Sequence, residues 1–541
     1  MTRRSLEPIG RAGVKARSPQ TIIKMKPTSV RMQDDRLNRV SGCELEFPNR
    51  WGIPARVFAN KEIPLERAAV DELEAVLQIQ ETVDLLGDKS PQFFGPGNDP
   101  AVTEVVLTPD FHKGAGIPIG TVLATRGFAV PQAIGNDINC GMRLIATDFD
   151  VELVKSKSRE LASALRHIFF EGGRDIPMTP RQREALVRQG LPGLLSTAQE
   201  AQKKGIWGSL DIREEQENLR HMRGGGYLTD SVFALQGYIS AATGLSHDSI
   251  IGNLGGGNHF AEIQFVRRVF HGQAAHAWGL REGQVVVMIH AGSLGLGHVT
   301  GTFITDLMKE IYPESIARPA NDIYFLPRTE RFVPQFDQFL TSMRNAANFA
   351  FGNRFFLAQM IRKGLFEAVG ETGWDVVYDA PHNLMWEEQL DGKPTLVHRK
   401  GATPAGGWEE MQGTQFAHWG EPVIVPGSMG ASSFLLLGNG ARTAICSACH
   451  GAGRALSRGE AMRADDTQID EFLKDFSVIT ALDPNRPDVR LRPDILEKWK
   501  QELKKEAPYA YKEITPVIKT LQEAKIATPV VELFPLMTVK Q

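Results

Sequence analysis

Four side chains that bind transition metals well occur in short, polar segments rich in glycine. Cys140, His259, His290 and His382 lie in the segments 137–141, 257–260, 289–293 and 379–383. One thiolate and three neutral imidazoles suit Zn²⁺, Fe²⁺ or Mn²⁺, and a carboxylate such as Asp137 favours a harder metal or a second ion. One such histidine alone is more simply a core residue, whereas four in the same context predict a metal site. The fold must then bring four distant segments to one point.

Runs of β-branched and apolar residues lead directly into several of these segments. Residues 285–290 and 375–379 have the pattern of buried strands that end near the candidate histidines, and residues 422–425 lead to Gly427 and Ser428. Residues 102–107 likewise lead to Asp110 and His112 in a glycine loop. Because a sheet holds the loops at its strand ends in place, the pattern predicts an α/β fold with its site at those ends.

The domain organisation follows from charge and periodicity. Residues 1–45 begin with a run of arginines and lysines without apolar periodicity, and we expect a basic, flexible tail, with a transit peptide as the alternative. Residues 46–541 are interpreted as one catalytic domain. Within it, the charged stretch of about 151–248 is typical of helices and holds none of the candidate segments, which predicts a helical insertion.

Composition excludes several other classes of protein. No apolar run approaches the roughly 18 residues of a membrane-spanning helix, so no membrane partner is expected. The 61 Lys and Arg residues against 64 Asp and Glu residues do not indicate a nucleic-acid binder, for which a local basic groove would be needed. Four cysteines without a secretory signal are typical of the reducing cytoplasm, which is the expected location.

A fifth glycine-rich segment, residues 449–454, contains a histidine without a metal-binding neighbour. His450 is followed by Gly451, Gly453 and Arg454. Glycines let backbone N–H groups approach a phosphate closely, and fixed cations neutralise its charge in a transition state. Arg399 and Lys400 are further candidate phosphate contacts, for which a surface basic patch is the alternative. The combination indicates phosphoryl or nucleotidyl transfer with His450 as covalent carrier.

Taken together, these segments resemble the tRNA-splicing ligase family called RtcB, whose members are GTP- and Mn²⁺-dependent RNA ligases. The resemblance covers about 108–147 and 251–540. The segments that carry it are 110–120, 135–141, 254–260, 290–298, 398–403, 426–430 and 449–454. It implies the family's mixed α/β architecture around a deep metal-lined cleft.

The resemblance also implies a role for individual residues. His450 would form a covalent adduct with GMP. Two Mn²⁺ ions would be held by Asp137, Cys140, His259, His290 and His382. The implied guanylate pocket consists of Asn258, Glu262, Asn383, Pro426, Gly427, Ser428, Met429, Ser433, Gly451, Ala452, Gly453 and Lys540. The candidate contacts to RNA phosphates are Arg399, Lys400 and Arg454.

The implied reaction joins an RNA 3′-phosphate or 2′,3′-cyclic phosphate to a 5′-hydroxyl, on tRNA halves or broken RNA, with an archease-type activator as a further expected partner. Two positions depart from the family pattern, because Leu294 and Pro404 stand where relatives carry arginine. The RNA side of the site is therefore poorer in cations than the nucleotide side. Two alternatives stay open: a paralogue that guanylylates or caps another polynucleotide 3′-phosphate, and a non-catalytic RNA-binding relative.

Overall fold

Two large sheets form the framework of the protein. The computed structural model describes residues 30–31, 33–228 and 231–541. The eight-stranded sheet has the order Asp375–Pro381, Gly141–Asp150, Gln284–Ala291, Phe260–Val269, Ala527–Val539, Ser433–Gly438 and Pro422–Val425, with Ser477–Ile479 also pairing Ala527–Val539. The seven-stranded sheet has the order Asn383–Leu390, Lys393–Lys400, Ile119–Arg126, Ala101–His112, Ala55–Phe58, Glu44–Glu46 and Asn38–Arg39. Neighbouring strands are antiparallel in both sheets, with two exceptions. Ser477–Ile479 pairs in parallel with Ala527–Val539, and Ala55–Phe58 pairs in parallel with Ala101–His112.

Four two-stranded ribbons and many helices complete the described part of the chain. The ribbons pair Val30–Arg31 with Leu65–Glu66, Phe128–Ala129 with Leu326–Pro327, Pro177–Met178 with Ser246–His247, and Ala402–Pro404 with Ser447–Cys449. The α-helices are Arg67–Leu77, Ile79–Lys89, Val151–Ser156, Ser158–Phe170, Pro180–Ser196, Ile212–Asn218, Gln236–Ile239, Gly272–Ala277, Leu294–Ile311, Val333–Ala368, Arg458–Met462, Asp466–Asp475, Pro487–Arg490, Pro493–Lys504 and Ile514–Glu523. Short 3₁₀ helices are Pro91–Phe93, Pro131–Ile134, Ala198–Ala201, Gly205–Ser209, Leu219–His221, Arg223–Gly226, Glu330–Phe332, Arg442–Ala444 and Pro508–Ala510.

The eight-stranded sheet is covered on both faces. In the strand Gln284–Ala291, Val285, Val287 and Ile289 join the core beneath the helices, whereas Val286 and Met288 join the core on the opposite face. This alternation is the two-residue period of a strand. Because both faces of the strand are buried, its sequence is a continuous apolar run. The predicted mixed α/β class with a helical insertion is confirmed. None of the described helices has the length and apolar character needed to cross a membrane.

The helix Val333–Ala368, called here the central helix, packs between this sheet and the segment 151–248. Three of its buried asparagines accept hydrogen bonds from backbone amides: Asn345 from Phe233, Asn348 from Leu228 and Asn353 from Gly252, at 2.8–3.0 Å. Buried amides need such acceptors, so polar residues on an otherwise apolar helix fix the irregular loops around the insertion.

The predicted boundary of the basic tail is wrong in part. Asn38–Arg39 and Glu44–Glu46 are strands of the seven-stranded sheet, and Leu37, Cys43 and Leu45 are buried. The ordered domain thus begins before residue 46, because these apolar side chains cover the edge of that sheet. The basic residues up to position 29 lie outside the described residues.

A fully buried ion pair connects the central helix to the edge of the eight-stranded sheet. Arg354 binds Asp379 through Nε (2.9 Å) and Nη2 (2.8 Å), and donates to the carbonyls of Asn139 (2.7 Å) and Ala291 (2.9 Å). Arg143 approaches the other carboxylate oxygen of Asp379 at 2.9 Å. Asn139 precedes Cys140 and Ala291 follows His290, so Arg354 fixes the backbone beside two candidate metal ligands.

Arg354→Met should therefore destabilise the protein strongly, since it leaves buried carbonyls without a donor and a buried carboxylate with one cation fewer. We expect a loss of roughly 3–5 kcal/mol in the free energy of unfolding, measured by urea denaturation. Lys363→Met on the same helix is the matched control. Lys363 pairs with Glu367 at the surface (3.9 Å; side chains 37% and 42% exposed), and its replacement should cost at most about 1 kcal/mol. Equal losses for the two variants would contradict the structural role assigned to the ion pair between Arg354 and Asp379.

Candidate active site

The order of strands in the eight-stranded sheet lines up the candidate ligands at one edge. Pro381 and Ala291 both pair with Gly141, and Phe260 pairs with His290. Because these neighbours are antiparallel, the end of one strand lies beside the start of the next. His382, Cys140, His290 and His259 therefore come together although up to about 240 residues separate them. After His382 the chain enters the seven-stranded sheet at Asn383, so the site lies where the two sheets meet.

All five predicted metal ligands converge. The Sγ atom of Cys140 lies 3.2 Å from Nε2 of both His259 and His290, Nε2 of His382 lies 3.2 Å from Nε2 of His290, and Oδ2 of Asp137 lies 2.9 Å from Nε2 of His259. They form two groups that share one thiol, Cys140 with His290 and His382, and Cys140 with Asp137 and His259, each with donor atoms within 4.8 Å. The arrangement has the donors that would hold two neighbouring cations, with Cys140 common to both groups.

The protonation of the imidazoles fits this interpretation. Nδ1 of His259 lies 2.8 Å from the Leu254 carbonyl, and Nδ1 of His290 lies 3.1 Å from the Asn258 carbonyl. A carbonyl only accepts, so each Nδ1 donates to it, and each Nε2 is the nitrogen directed at the cluster. Burial, followed by the neighbouring histidines, lowers the pKa of His290 and His382 well below the usual range, which keeps both neutral. Facing lone pairs are satisfied by a cation between them.

The imidazole rings continue in a row to His450. Ring centroids are 5.2 Å apart for His259 and His290, 5.0 Å for His290 and His382, and 4.7 Å for His382 and His450. His450 therefore lies at one end of the row, and Asp137, beside His259, lies at the other. The candidate nucleophile is next to the metal cluster without being part of either group.

Asp110 is a site residue that the sequence prediction missed. Its Oδ2 lies 2.6 Å from Nδ1 of His450, and Thr108 donates to its Oδ1 at 2.7 Å. Burial alone would raise the pKa of Asp110, but the charge and hydrogen bond of His450 and the hydroxyl of Thr108 outweigh it, and the pKa is lowered. An ionised Asp110 at Nδ1 leaves Nε2 of His450 as the nitrogen free to react. The sequence placed Asp110 at a strand end, but nothing local pairs it with a residue 340 positions away.

A cavity of about 680 Å³ contains the cluster and His450. This volume is in the range of small-molecule and cofactor sites. Its wall includes these members of the predicted guanylate pocket: Asn258, Glu262, Asn383, Pro426, Gly427, Ser428, Met429, Gly451, Ala452, Gly453 and Lys540. Ser433 is not on the wall; its hydroxyl accepts from the Gly427 amide at 3.2 Å and so supports the 426–429 loop from behind.

Two buried ionisable groups lie on this wall with shifted pKa values. Glu262 contacts the hydroxyl of Thr538 and the amide of Gln264, and burial raises its pKa to about 7. Lys540, at the end of the strand Ala527–Val539, donates to the carbonyls of Gly257 (2.7 Å) and His259 (3.2 Å), and burial lowers its pKa to about 8. Pairing of this strand with Phe260–Val269 brings the last residues of the chain to the site.

Of the three predicted phosphate contacts, only Lys400 stays available. Arg399 is buried away from the cavity, where it binds Glu388 through two nitrogens and Ser447 through Nε, so its predicted role is wrong. Arg454 is on the wall, but Glu506 and the carbonyls of Lys505 and Leu456 occupy its nitrogens. Lys400 donates to the Ile117 carbonyl at 2.8 Å and faces the cavity.

Leu294, the position expected to depart from the family pattern, lies against the glycine loop of the site. It is the first residue of the helix Leu294–Ile311, has a φ of 53°, and packs so closely over Gly255 that a Cβ there would lie 2.7 Å from its Cδ2. The aliphatic side chain thus covers the glycine loop where relatives were expected to present arginine.

Fold and site together define a mixed α/β protein in which one cavity joins a candidate two-metal centre to a histidine–aspartate pair. A family model described as tRNA-splicing ligase RtcB matches residues 98–541, and the chain belongs to this family.

Curated relatives cover most of the chain. The tRNA-splicing ligase RtcB of Thermococcus kodakarensis is 30% identical over 93% of this chain and 98% of that protein. The protein of the same name from Nanoarchaeum equitans is 31% identical over 94% of this chain and 100% of its own length. RNA-splicing ligase RtcB homolog 1 of Entamoeba dispar is 32% identical over 82% and 79%.

The raised pKa of Glu262 predicts a specific dependence of stability on pH. In the unfolded chain this group titrates near 4.5 and in the folded protein near 7, so between these values the folded state binds more protons and stability falls as pH rises. In wild type this fall in the free energy of unfolding amounts to about 3 kcal/mol at most, and Glu262→Gln should abolish it. The measurement is urea denaturation of both proteins at pH 4.5 and 7.5. Parallel changes in wild type and variant would contradict the shift.

Proposed function

We propose that the protein is a GTP- and Mn²⁺-dependent RNA ligase that joins 3′-phosphate or 2′,3′-cyclic phosphate ends to 5′-hydroxyl ends through a histidine–GMP intermediate. Family membership and the names of the relatives support the ligase class. The observation that carries the mechanism is the position of His450, with Nδ1 against Asp110 and its ring beside the metal cluster in the same cavity.

The first step uses the free nitrogen of His450. Asp110 keeps the proton on Nδ1, so Nε2 presents a lone pair to the α-phosphate of GTP. A P–N bond forms as the bond from the α-phosphorus to the bridging oxygen breaks, and pyrophosphate leaves with that electron pair. Asp110 stabilises the positive charge that develops on the imidazole, as a buried carboxylate does for a catalytic histidine.

The second and third steps transfer the guanylate and seal the strand. An oxygen of the RNA 3′-phosphate attacks the guanylate phosphorus, and the P–N bond breaks with its electron pair returning to Nε2 of His450. A 5′-hydroxyl then attacks the terminal RNA phosphorus, GMP leaves, and the phosphodiester forms as the hydroxyl proton is lost. A 2′,3′-cyclic phosphate is first opened by hydrolysis to the 3′-phosphate.

The metal ligands fit this chemistry. Two Mn²⁺ ions held by Asp137, Cys140, His259, His290 and His382 would neutralise charge on the reacting phosphates. Zn²⁺ suits thiolate and imidazole ligands equally well, so the assignment of Mn²⁺ rests on the resemblance to the family.

The remaining wall suits a guanine nucleotide. Glu262 can accept from the N–H groups of a guanine edge when ionised, and Lys540 can donate to its carbonyl oxygen. Asn258, Asn383 and the 426–429 and 451–453 loops supply polar and backbone contacts, and Lys400 supplies a cation for phosphate. An archease-type activator stays a prediction.

Incubation of the protein with Mn²⁺ and α-labelled GTP should produce a labelled, acid-labile protein adduct, because a phosphoramidate hydrolyses in acid. His450→Ala should abolish the label. Asp110→Asn should lower the labelling rate roughly 10²–10⁴-fold, since an amide can donate to Nδ1 and favours the wrong tautomer.

The outcomes separate the candidate functions. A wild-type protein that never becomes labelled contradicts the mechanism and favours the non-catalytic binding relative. A label that survives His450→Ala contradicts the assignment of His450 as the residue that carries GMP. A labelled protein that does not seal RNA ends bearing a 3′-phosphate and a 5′-hydroxyl favours the capping paralogue.

A further inference from the structure

A second cavity, called here the side cleft, opens beside the main one. It has a volume of about 810 Å³ and lies between the glycine loop 256–258, the segment 480–482 and the helix Pro493–Lys504. The two cavities adjoin each other, and the residues on both walls are Asp137, Asn258, His259, Arg458, Glu506 and Lys540. The side cleft therefore opens onto the metal cluster beside the wall that is proposed to hold the guanine.

The side cleft reaches the end of the imidazole row that is remote from His450. Asp137 and His259 are on its wall, whereas His290, His382 and His450 are on the wall of the main cavity only. Along the row the order is His450, His382, His290, His259 and Asp137.

This placement matters because displacement at phosphorus is in line. The group that attacks the guanylate phosphorus must approach from the side opposite the bond to Nε2 of His450. The nucleotide itself lies against His450 in the main cavity, so the attacking strand needs an entrance at the other end of the row. Pyrophosphate leaves on the same side in the preceding step, so that entrance is vacated before RNA arrives.

The wall of the side cleft has the chemistry of a single-strand binding site. Trp499 lies on it, and its indole nitrogen donates to the Thr480 hydroxyl at 3.0 Å, which fixes the orientation of the ring. Leu482 and Ile495 are apolar residues of the same wall, and Lys498 is exposed beside them. A fixed aromatic ring next to a lysine suits stacking of an unpaired base and contact with its phosphate.

We propose that the side cleft receives the RNA strand that ends in the 3′-phosphate, with its terminal unpaired bases against the helix Pro493–Lys504. This rests on the proposed function and adds the path of one substrate to it. The terminal phosphate reaches the guanylate past Asp137 and His259. There its oxygen forms the new P–O bond while the bond to His450 breaks and the electron pair returns to Nε2.

Photo-crosslinking tests this path directly. The probe is a short single-stranded RNA with a 3′-phosphate, 4-thiouridine at the penultimate position and a 5′-phosphate that prevents sealing, added to the full-length protein with Mn²⁺ and without GTP. Crosslinked peptides from residues 480–505 are the expected result. Crosslinks confined to the opposite rim of the main cavity, at residues 112–119, overturn the proposal.

A charge-reversal pair gives a second readout in the same protein. Lys498→Glu should weaken binding of this RNA at least about fivefold and reduce its dependence on salt, because a phosphate contact is lost. Arg490→Glu changes the charge equally at an exposed residue that is on neither cavity wall, and should change affinity less than twofold. Equal effects of the two variants overturn the proposal. If the wild-type protein fails to form the GTP adduct, this result contradicts the proposed function, whatever the crosslinks show.

Discussion

The buried contact between Arg354 and Asp379 is the interaction on which the site depends. A guanidinium without exposure is tolerated only because a carboxylate and the carbonyls of Asn139 and Ala291 occupy its donors. Those carbonyls belong to the residues beside Cys140 and His290, and Asp379 lies three residues before His382. One side chain of the central helix therefore sets the spacing of three strand ends, and the distances between metal ligands follow from it.

The site is asymmetric along the row of imidazoles. At one end, Asp110 lies against His450 in the main cavity, which is the proposed nucleotide site. At the other end, Asp137 and His259 face the side cleft, whose wall also includes Trp499 and Lys498 and which is the proposed path of the RNA strand. Cations that the sequence suggested for phosphate, such as Arg399, instead serve ion pairs within the fold.

The local sequence was sufficient to predict the fold class and which side chains converge in much of the candidate site. The convergence of Cys140, His259, His290 and His382 could be predicted because glycine-rich segments after apolar strands are visible in a short window. Asp110 was missed because its partner is 340 residues away and only strand order brings them together. Arg399 was misassigned because alternation along a strand does not show which face meets the cavity. The tail boundary was placed too late because the edge strands Asn38–Arg39 and Glu44–Glu46 are too short to show a period.

The most direct test of the account is the number and coupling of the metal ions. Manganese content should be two ions per chain, and the electron paramagnetic resonance spectrum should show an exchange-coupled pair, because Cys140 is shared by both groups of ligands. Cys140→Ser should remove the coupling and weaken binding of both ions. One ion per chain, or two uncoupled ions whose binding is unchanged by Cys140→Ser, would contradict the shared-thiolate centre.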